Sequence, residues 1–234
     1  MTTQIAKPAA TIADDPAEHR VAAILDRMEE GPWGFPVVLD IRPLLGGRTL
    51  AEIDVDVLEA FSHANDLYAI EYNETGELFI MPPMLMPGGN DEATLIAAVT
   101  MWRFENGGVS PSSTTIFRIA GLGGRGPDAS WVSPERLAEL DPEQYRTGLV
   151  CPDFVAEILS PNDSLAYLRR KMDEYIAAGV RLGWLIDPRN RRVTIYRPEH
   201  EPEEFDNPEI LSGEDVMPGF EFRVRTLIFD AARQ

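Results

Sequence analysis

The run Phe154-Val155-Ala156-Glu157-Ile158-Leu159 constrains the fold of this chain more than any other segment. Read as a strand, it is apolar at both alternating sets of positions: Phe154, Ala156 and Ile158 on one face, Val155 and Leu159 on the other. Strands of that kind are covered by other structure on both sides. The chain must therefore build a layered sheet with helices over it. Glu157 interrupts the run, and a carboxylate at such depth is costly unless it is paired with a cation or bound to a metal. The residues alone leave two readings open, a structural glutamate satisfied by an arginine and a functional one.

Around this strand the periodicities lay out a mixed sheet flanked by helices, an α/β arrangement in the broad sense. Met1 to about Asp15 is rich in Ala, Thr and Pro and is expected to be a disordered tail. A chain of 234 residues suits one sizeable domain, assigned to residues 16–234. A helix is expected from Ala17 to Glu30, with Val21, Ile24, Leu25 and Met28 as its apolar stripe. The segment Gly31 to Gly47 reads as an irregular connector. A second helix is expected near Leu50 to Ala64, opened by Thr49 and Glu52 in capping-box spacing. A hairpin follows, Leu67 to Tyr72 and Glu77 to Met81 about a turn at Asn73 to Gly76. Asn90 is expected to cap a helix from Asp91 to about Glu105, stopped by Gly107-Gly108. Strands are expected at Thr114 to Ile119 and Asp128 to Val132, joined by a flexible glycine-rich loop. A short helix at Pro134 to Leu140, the Glu157 strand and a helix from Ser160 to about Ala178 come next. The final strands are Leu182 to Ile186, Val193 to Tyr196 and Phe222 to Phe229.

Composition narrows the function classes. One cysteine, Cys151, rules out an internal disulfide framework and fits a cytoplasmic location. The three histidines are scattered without zinc-ligand spacing. No apolar run reaches the ~18 residues of a membrane span, so no membrane partner is expected. The net charge of −18 is unlike a nucleic-acid binder, whose affinity comes largely from cations on phosphates. The charge is uneven, however. Leu165 to Arg197 holds eight cations and three acids, whereas Glu199 to Asp215 holds eight acids and no Lys or Arg.

Lys171 lies in the cationic stretch and is one of only two lysines against 19 arginines. A lysine is a compact charge whose pKa shifts on burial, which arginine does not offer. Leu165, Leu168, Met172 and Tyr175 recur at helical spacing, so Lys171 borders an apolar stripe. Its amine can either snorkel to water or serve a site. Two Pro-Asp dipeptides supply candidate partners for Glu157. Asp153 is four residues away on the same strand, about 13 Å at ~3.3 Å per residue. That is too far to share a small cation held by oxygens at about 2.1 Å. Asp128, on a neighbouring strand, is therefore assigned to the metal and Asp153 to strand initiation. The glycine-rich Gly121 to Gly126 stretch lacks phosphate-loop spacing, with Arg125 left as a phosphate contact. Ser160 and Asp163 are read as a helix start.

Several ordered segments carry a family resemblance: Gly76-Glu77-Leu78-Phe79-Ile80-Met81-Pro82-Pro83, Pro127-Asp128-Ala129-Ser130-Trp131-Val132, Pro152-Asp153 through Ser160-Pro161, Lys171-Met172-Asp173-Glu174-Tyr175 and Gly183 to Pro188. Together, over about Leu50 to Phe229, they resemble the Uma-type family, known as putative restriction endonucleases. The resemblance implies a restriction-endonuclease-like PD-(D/E)XK core with an N-terminal helical and hairpin extension, a divalent metal and a nucleic-acid substrate. It makes Asp128 and Glu157 the two metal-binding acids and Glu71 a third acid near the site. The general nuclease motif has a lysine two residues after the glutamate, where this chain has Leu159. The resemblance moves the basic residue to the next helix, at Lys171.

These readings converge on a Mg²⁺- or Mn²⁺-dependent endonuclease of DNA, RNA being an open alternative. Asp128 and Glu157 hold the metal, with Glu71 beside them, and Lys171 orients water or balances transition-state charge. A homodimer is expected, since two sites about a twofold axis suit cleavage of both strands. The rival is a nuclease-fold protein without activity that binds nucleic acid or protein, which the −18 charge and Leu159 favour.

Overall fold

The computed structural model describes residues 37–231 other than 54, 66, 67, 82 and 162. The expected tail to Asp15 and the helix over 17–30 lie outside those residues. A first sheet contains β1 (Val37–Asp40), β2 (Ala69–Tyr72), β3 (Glu77–Met81), β4 (Phe117–Ile119) and β5 (Gly123–Arg125), in spatial order β1-β3-β2-β5-β4. All of its pairings are antiparallel. A second sheet contains β6 (Ala129–Trp131), β7 (Phe154–Ile158), β8 (Leu182–Asp187), β9 (Arg192–Tyr196) and β10 (Glu203–Asp206), in the order β10-β9-β8-β7-β6. Two short strands, β11 (Leu211–Ser212) and β12 (Glu221–Phe222), pair with each other. The described helices are α1 (Val55–Ala64), α2 (Met86–Asn106), α3 (Pro134–Ala138), α4 (Pro142–Arg146) and α5 (Leu165–Ala177).

The second sheet is the layered one that the apolar run requires. Phe154, Ala156 and Ile158 pack in one buried cluster with Leu95 and Val99 of α2, Trp184 and Ile186. Val155, on the opposite face, packs with Leu168, Met172 and Tyr175 of α5. The parallel pair β7 and β8 needs a crossover, and α5 supplies it. Ser164 caps α5 by accepting the Tyr167 N–H. Leu168, Lys171, Met172 and Tyr175 then fall on one buried face at spacings of three, one and three. Among the described residues no helix is long and apolar enough to cross a membrane.

Several expected boundaries need correction. Residues 37–40 form β1, paired with β3, rather than part of an irregular connector. Leu50–Glu52 is a separate 3₁₀ turn ahead of α1, with the Thr49 N–H donating to the Glu52 carboxylate at 2.7 Å. Helix α2 starts at Met86, with Pro87 in its first turn where a missing N–H does no harm, so Asn90 lies inside it. Its end is as expected, with Gly107 at φ 83°. Helix α5 begins after Asp163, whose carboxylate instead accepts the Ser160 N–H at 2.7 Å. The terminal strand is only β12. A π-helix follows over Arg225–Phe229 and buries Ile228 and Phe229, adjacent positions that a strand would send to opposite faces.

The glycine-rich stretch is the largest departure. It is a strand, β5, between β2 and β4, rather than a flexible loop. A Cβ on Gly124 would come within 2.3 Å of the Tyr72 ring, and one on Gly123 within 2.4 Å of the Tyr72 carbonyl. Glycine at both positions is what lets β5 lie against β2.

Candidate active site

Lys171 stands between the two sheets. Its Nζ lies 2.7 Å from Glu71 Oε1 in β2 and 2.8 Å from Glu157 Oε1 in β7, and donates to the Gly126 carbonyl at 3.2 Å. All three charged side chains are buried, with Lys171 2 % exposed, so the ammonium does not snorkel. Burial acts to strip its proton, but Glu157 and Glu71 reverse that and hold its pKa well above the ordinary lysine value. Glu71 also accepts the Gly126 N–H at 3.0 Å, and Tyr175 donates to Glu157 Oε1 at 3.3 Å. The far oxygen of Glu71 lies 4.0 Å from Arg125 Nε, which is an ion pair without a hydrogen bond.

Asp128 is brought to the same place by strand register. Ala129 pairs with Ala156, so the next step along the antiparallel ladder sets Asp128 opposite Glu157. The Ile158 N–H donates to Asp128 Oδ2 at 2.6 Å and fixes the side chain. Asp128 and Glu157 both line a cavity of about 160 Å³. Burial lifts the Asp128 carboxyl from its ordinary 3.8 to about 7, against the Ile158 N–H and Lys171, which pull it down. Burial lifts Glu157 as well, opposed by Lys171 and reinforced by Asp128 and Glu71. Strand register sets the two acids on one face.

That donor set suits a hard divalent cation. Among the described residues no three His, Cys, Asp or Glu side chains converge on one point. A metal here would have two carboxylates from the protein and would take its remaining oxygens from water and substrate. Mg²⁺ is often bound in this way, and Zn²⁺ with its nitrogen and sulfur preferences is not. Burial raises the pKa of both acids, a cost that a bound cation would offset.

Other candidates fall elsewhere. Asp153 accepts the Ser133 N–H at 2.8 Å and lies 3.4 and 3.5 Å from Arg136 and Arg181, a structural role at the start of β7. Arg125 is no phosphate contact. It is 2 % exposed, donates to the Tyr72 carbonyl at 2.6 Å and to Glu174 at 3.1 Å, and lies over the Phe79 ring. The cationic stretch is not an open basic surface either. Strand β10 folds beside β9, and Arg169, Arg192 and Arg197 pair with Glu204, Glu204 and Glu203, while Arg197 also holds Glu214. Sequence reasoning missed Tyr175, although it sits one helical turn after Lys171 on the same face. It also missed the cavity wall of Met81, Met84, Leu85 and Tyr167. Asp163 and Ser160, read as a helix start, line that cavity too.

Comparison with known proteins bears on the family and the fold. Residues 55–225 match the Uma2 family, whose description is "Putative restriction endonuclease". The crystal structure of a putative nuclease of DUF820 from Anabaena variabilis superposes with a TM-score of 0.57 at 20% identity, over 68% of this chain and 89% of that one. The shared architecture is a mixed α/β fold. No curated protein matches.

Proposed function

The chain belongs to the Uma2 family of putative restriction endonucleases, and from that premise we propose that it hydrolyses phosphodiester bonds in DNA with a divalent cation held by Asp128 and Glu157. The observation that carries this reading is the pair of carboxylates that strand register sets opposite each other at one cavity. When bound there, Mg²⁺ or Mn²⁺ would polarise a phosphate oxygen and activate water for attack. The residues of the chain do the rest. Asp128, fixed by the Ile158 N–H, and Glu157, fixed by Lys171 and Tyr175, present oxygens in set directions. Lys171 holds positive charge beneath the place where the transition state gathers negative charge. Glu71 is a positioning residue: it grips Lys171 and the Gly126 backbone and does not line the cavity.

The test is hydrolysis of plasmid and single-stranded DNA in Mg²⁺ or Mn²⁺ by the wild-type chain and by Asp128→Asn. Asp128→Asn keeps the side-chain shape and an acceptor for the Ile158 N–H. It is expected to lose roughly a hundredfold or more in rate while its thermal midpoint without metal at pH 5.5 stays near wild type. Equal cleavage by both proteins would trace the activity to a contaminant. A second reading, a binding module without hydrolysis, is favoured by the pairing of Arg169, Arg192 and Arg197 with acids. It predicts no cleavage under either metal with nucleic-acid binding retained.

A further inference from the structure

The cavity over Asp128 and Glu157 has the wrong lining for the backbone of an intact duplex. Among the described residues along its wall none is Lys or Arg, and the acids Asp128, Glu157 and Asp163 are all there. A duplex approaches through a dense row of phosphates and needs cations to meet them. Here the wall is Met81, Met84, Leu85 and Tyr167. Met84 and Leu85 are 42 and 68 % exposed, and Met86 beside them is 87 % exposed. Exposed thioether and leucine side chains leading down to carboxylates match a flat apolar group joined to a phosphate. Nucleobases have that character once they are unpaired, and sites for extruded or single-stranded bases stack them between aromatic and apolar side chains. One cation stands beside this wall. Arg170 lies over the Tyr167 ring at 5.6 Å, with a loose 3.8 Å contact to Glu174, and its side chain is 64 % exposed. It can meet the phosphate of a flanking nucleotide.

We propose that this cleft takes an unpaired nucleotide, with its base against Met81, Met84, Leu85 and Tyr167 and its phosphate over Asp128 and Glu157, so that single-stranded nucleic acid is the preferred substrate over intact duplex. The inference rests on the nuclease reading for the phosphate end of the cleft, while the base-binding end stands on the lining alone. Binding, measured apart from cleavage, therefore tests it. A fluorescein-labelled 20-nucleotide DNA strand, its blunt duplex and the RNA strand of the same sequence are titrated with the full chain in EDTA and in Ca²⁺, with anisotropy as the readout.

The expected result is single-strand binding at least about tenfold tighter than duplex binding at physiological salt, with a shallow salt dependence because few phosphates are neutralised. Preference for either the DNA or the RNA strand over the duplex supports the proposal and identifies the sugar. Met84→Asp and Leu85→Asp, both at exposed positions, should each weaken single-strand binding by roughly tenfold, about the loss of one stacked base. Their thermal midpoints should not move. Duplex bound as tightly as single strand, binding indifferent to both substitutions, or no binding to any probe overturns the proposal. Duplex cleaved faster than single strand in Mn²⁺ keeps the nuclease reading and rejects this one. Cleft-dependent single-strand binding without cleavage does the reverse.

Discussion

One ammonium between two buried carboxylates makes Lys171 a point where small changes have large effects. Lys171→Met would leave Glu71 and Glu157 buried without their cation, a loss of about 3–5 kcal/mol. The drop should appear as a lower urea midpoint, and adding Glu71→Gln to Lys171→Met should restore part of it. A Lys171→Met protein as stable as wild type would show that the pairing contributes nothing. Asp128 supports a pH prediction. Its folded pKa of about 7 exceeds the ordinary 3.8, so the folded chain binds this proton more tightly than the unfolded one. The resulting stability is fully present below about pH 4 and is lost as pH rises through 7. Asp91, Glu92, Glu157 and Asp163 are raised in the same sense. In EDTA the thermal midpoint should therefore fall from pH 5.5 to pH 8, and Mn²⁺ should lift it most at pH 8, where the acids are free to bind. Asp128→Asn should flatten part of the slope in calorimetric scans.

Glycines in the strands separate two kinds of close packing. At Gly124 the obstacle is the Tyr72 ring, wedged within β2, whereas at Gly183 it is the Met172 methyl at 2.4 Å, the free end of a flexible chain. Gly124→Ala should cost about 3 kcal/mol and Gly183→Ala under about 1.5 kcal/mol, since methionine repacks readily. Denaturant midpoints check the order, and a reversed order would mean that β5 is not held against β2 as described. The same contrast explains what the chain's letters disclose. The double apolar face of β7 and the three- and four-residue spacing of α5 are local patterns, so the sheet layer, the crossover and the seat of Glu157 could be read directly. Strand β5 could not, because Gly123 and Gly124 signal a loop until Tyr72 is known to lie against them. Arg225–Phe229 misled for a related reason: its β-forming residues bury adjacent positions in a turn that only the finished core dictates. Lys171 was legible as unusual, but its two partners lie 100 and 14 positions away in sequence, beyond any local pattern.

Across the whole molecule, charge follows folding rather than sequence order. The cationic stretch and the acidic stretch that follows it meet in space, which removes much of the basic face that a linear count suggests. Glu203→Gln with Glu204→Gln should free Arg169, leave Arg192 only its 4.0 Å contact to Asp206 and loosen Arg197. Non-specific duplex binding at low salt should then strengthen, with the slope of log K against log salt steeper by about one to two. An unchanged slope would mean that those arginines never approach nucleic acid. The placement of Lys171 has a consequence for reading relatives of this chain. Its ammonium ties β2 of one sheet to β7 of the other, so a descendant that had lost all chemistry would still need it to stay folded. Asp128 carries no such duty, since it secures a single backbone N–H. The presence of the lysine therefore reports on cohesion, and under the proposed function it is a carboxylate at position 128 that would separate an active lineage from a silent one.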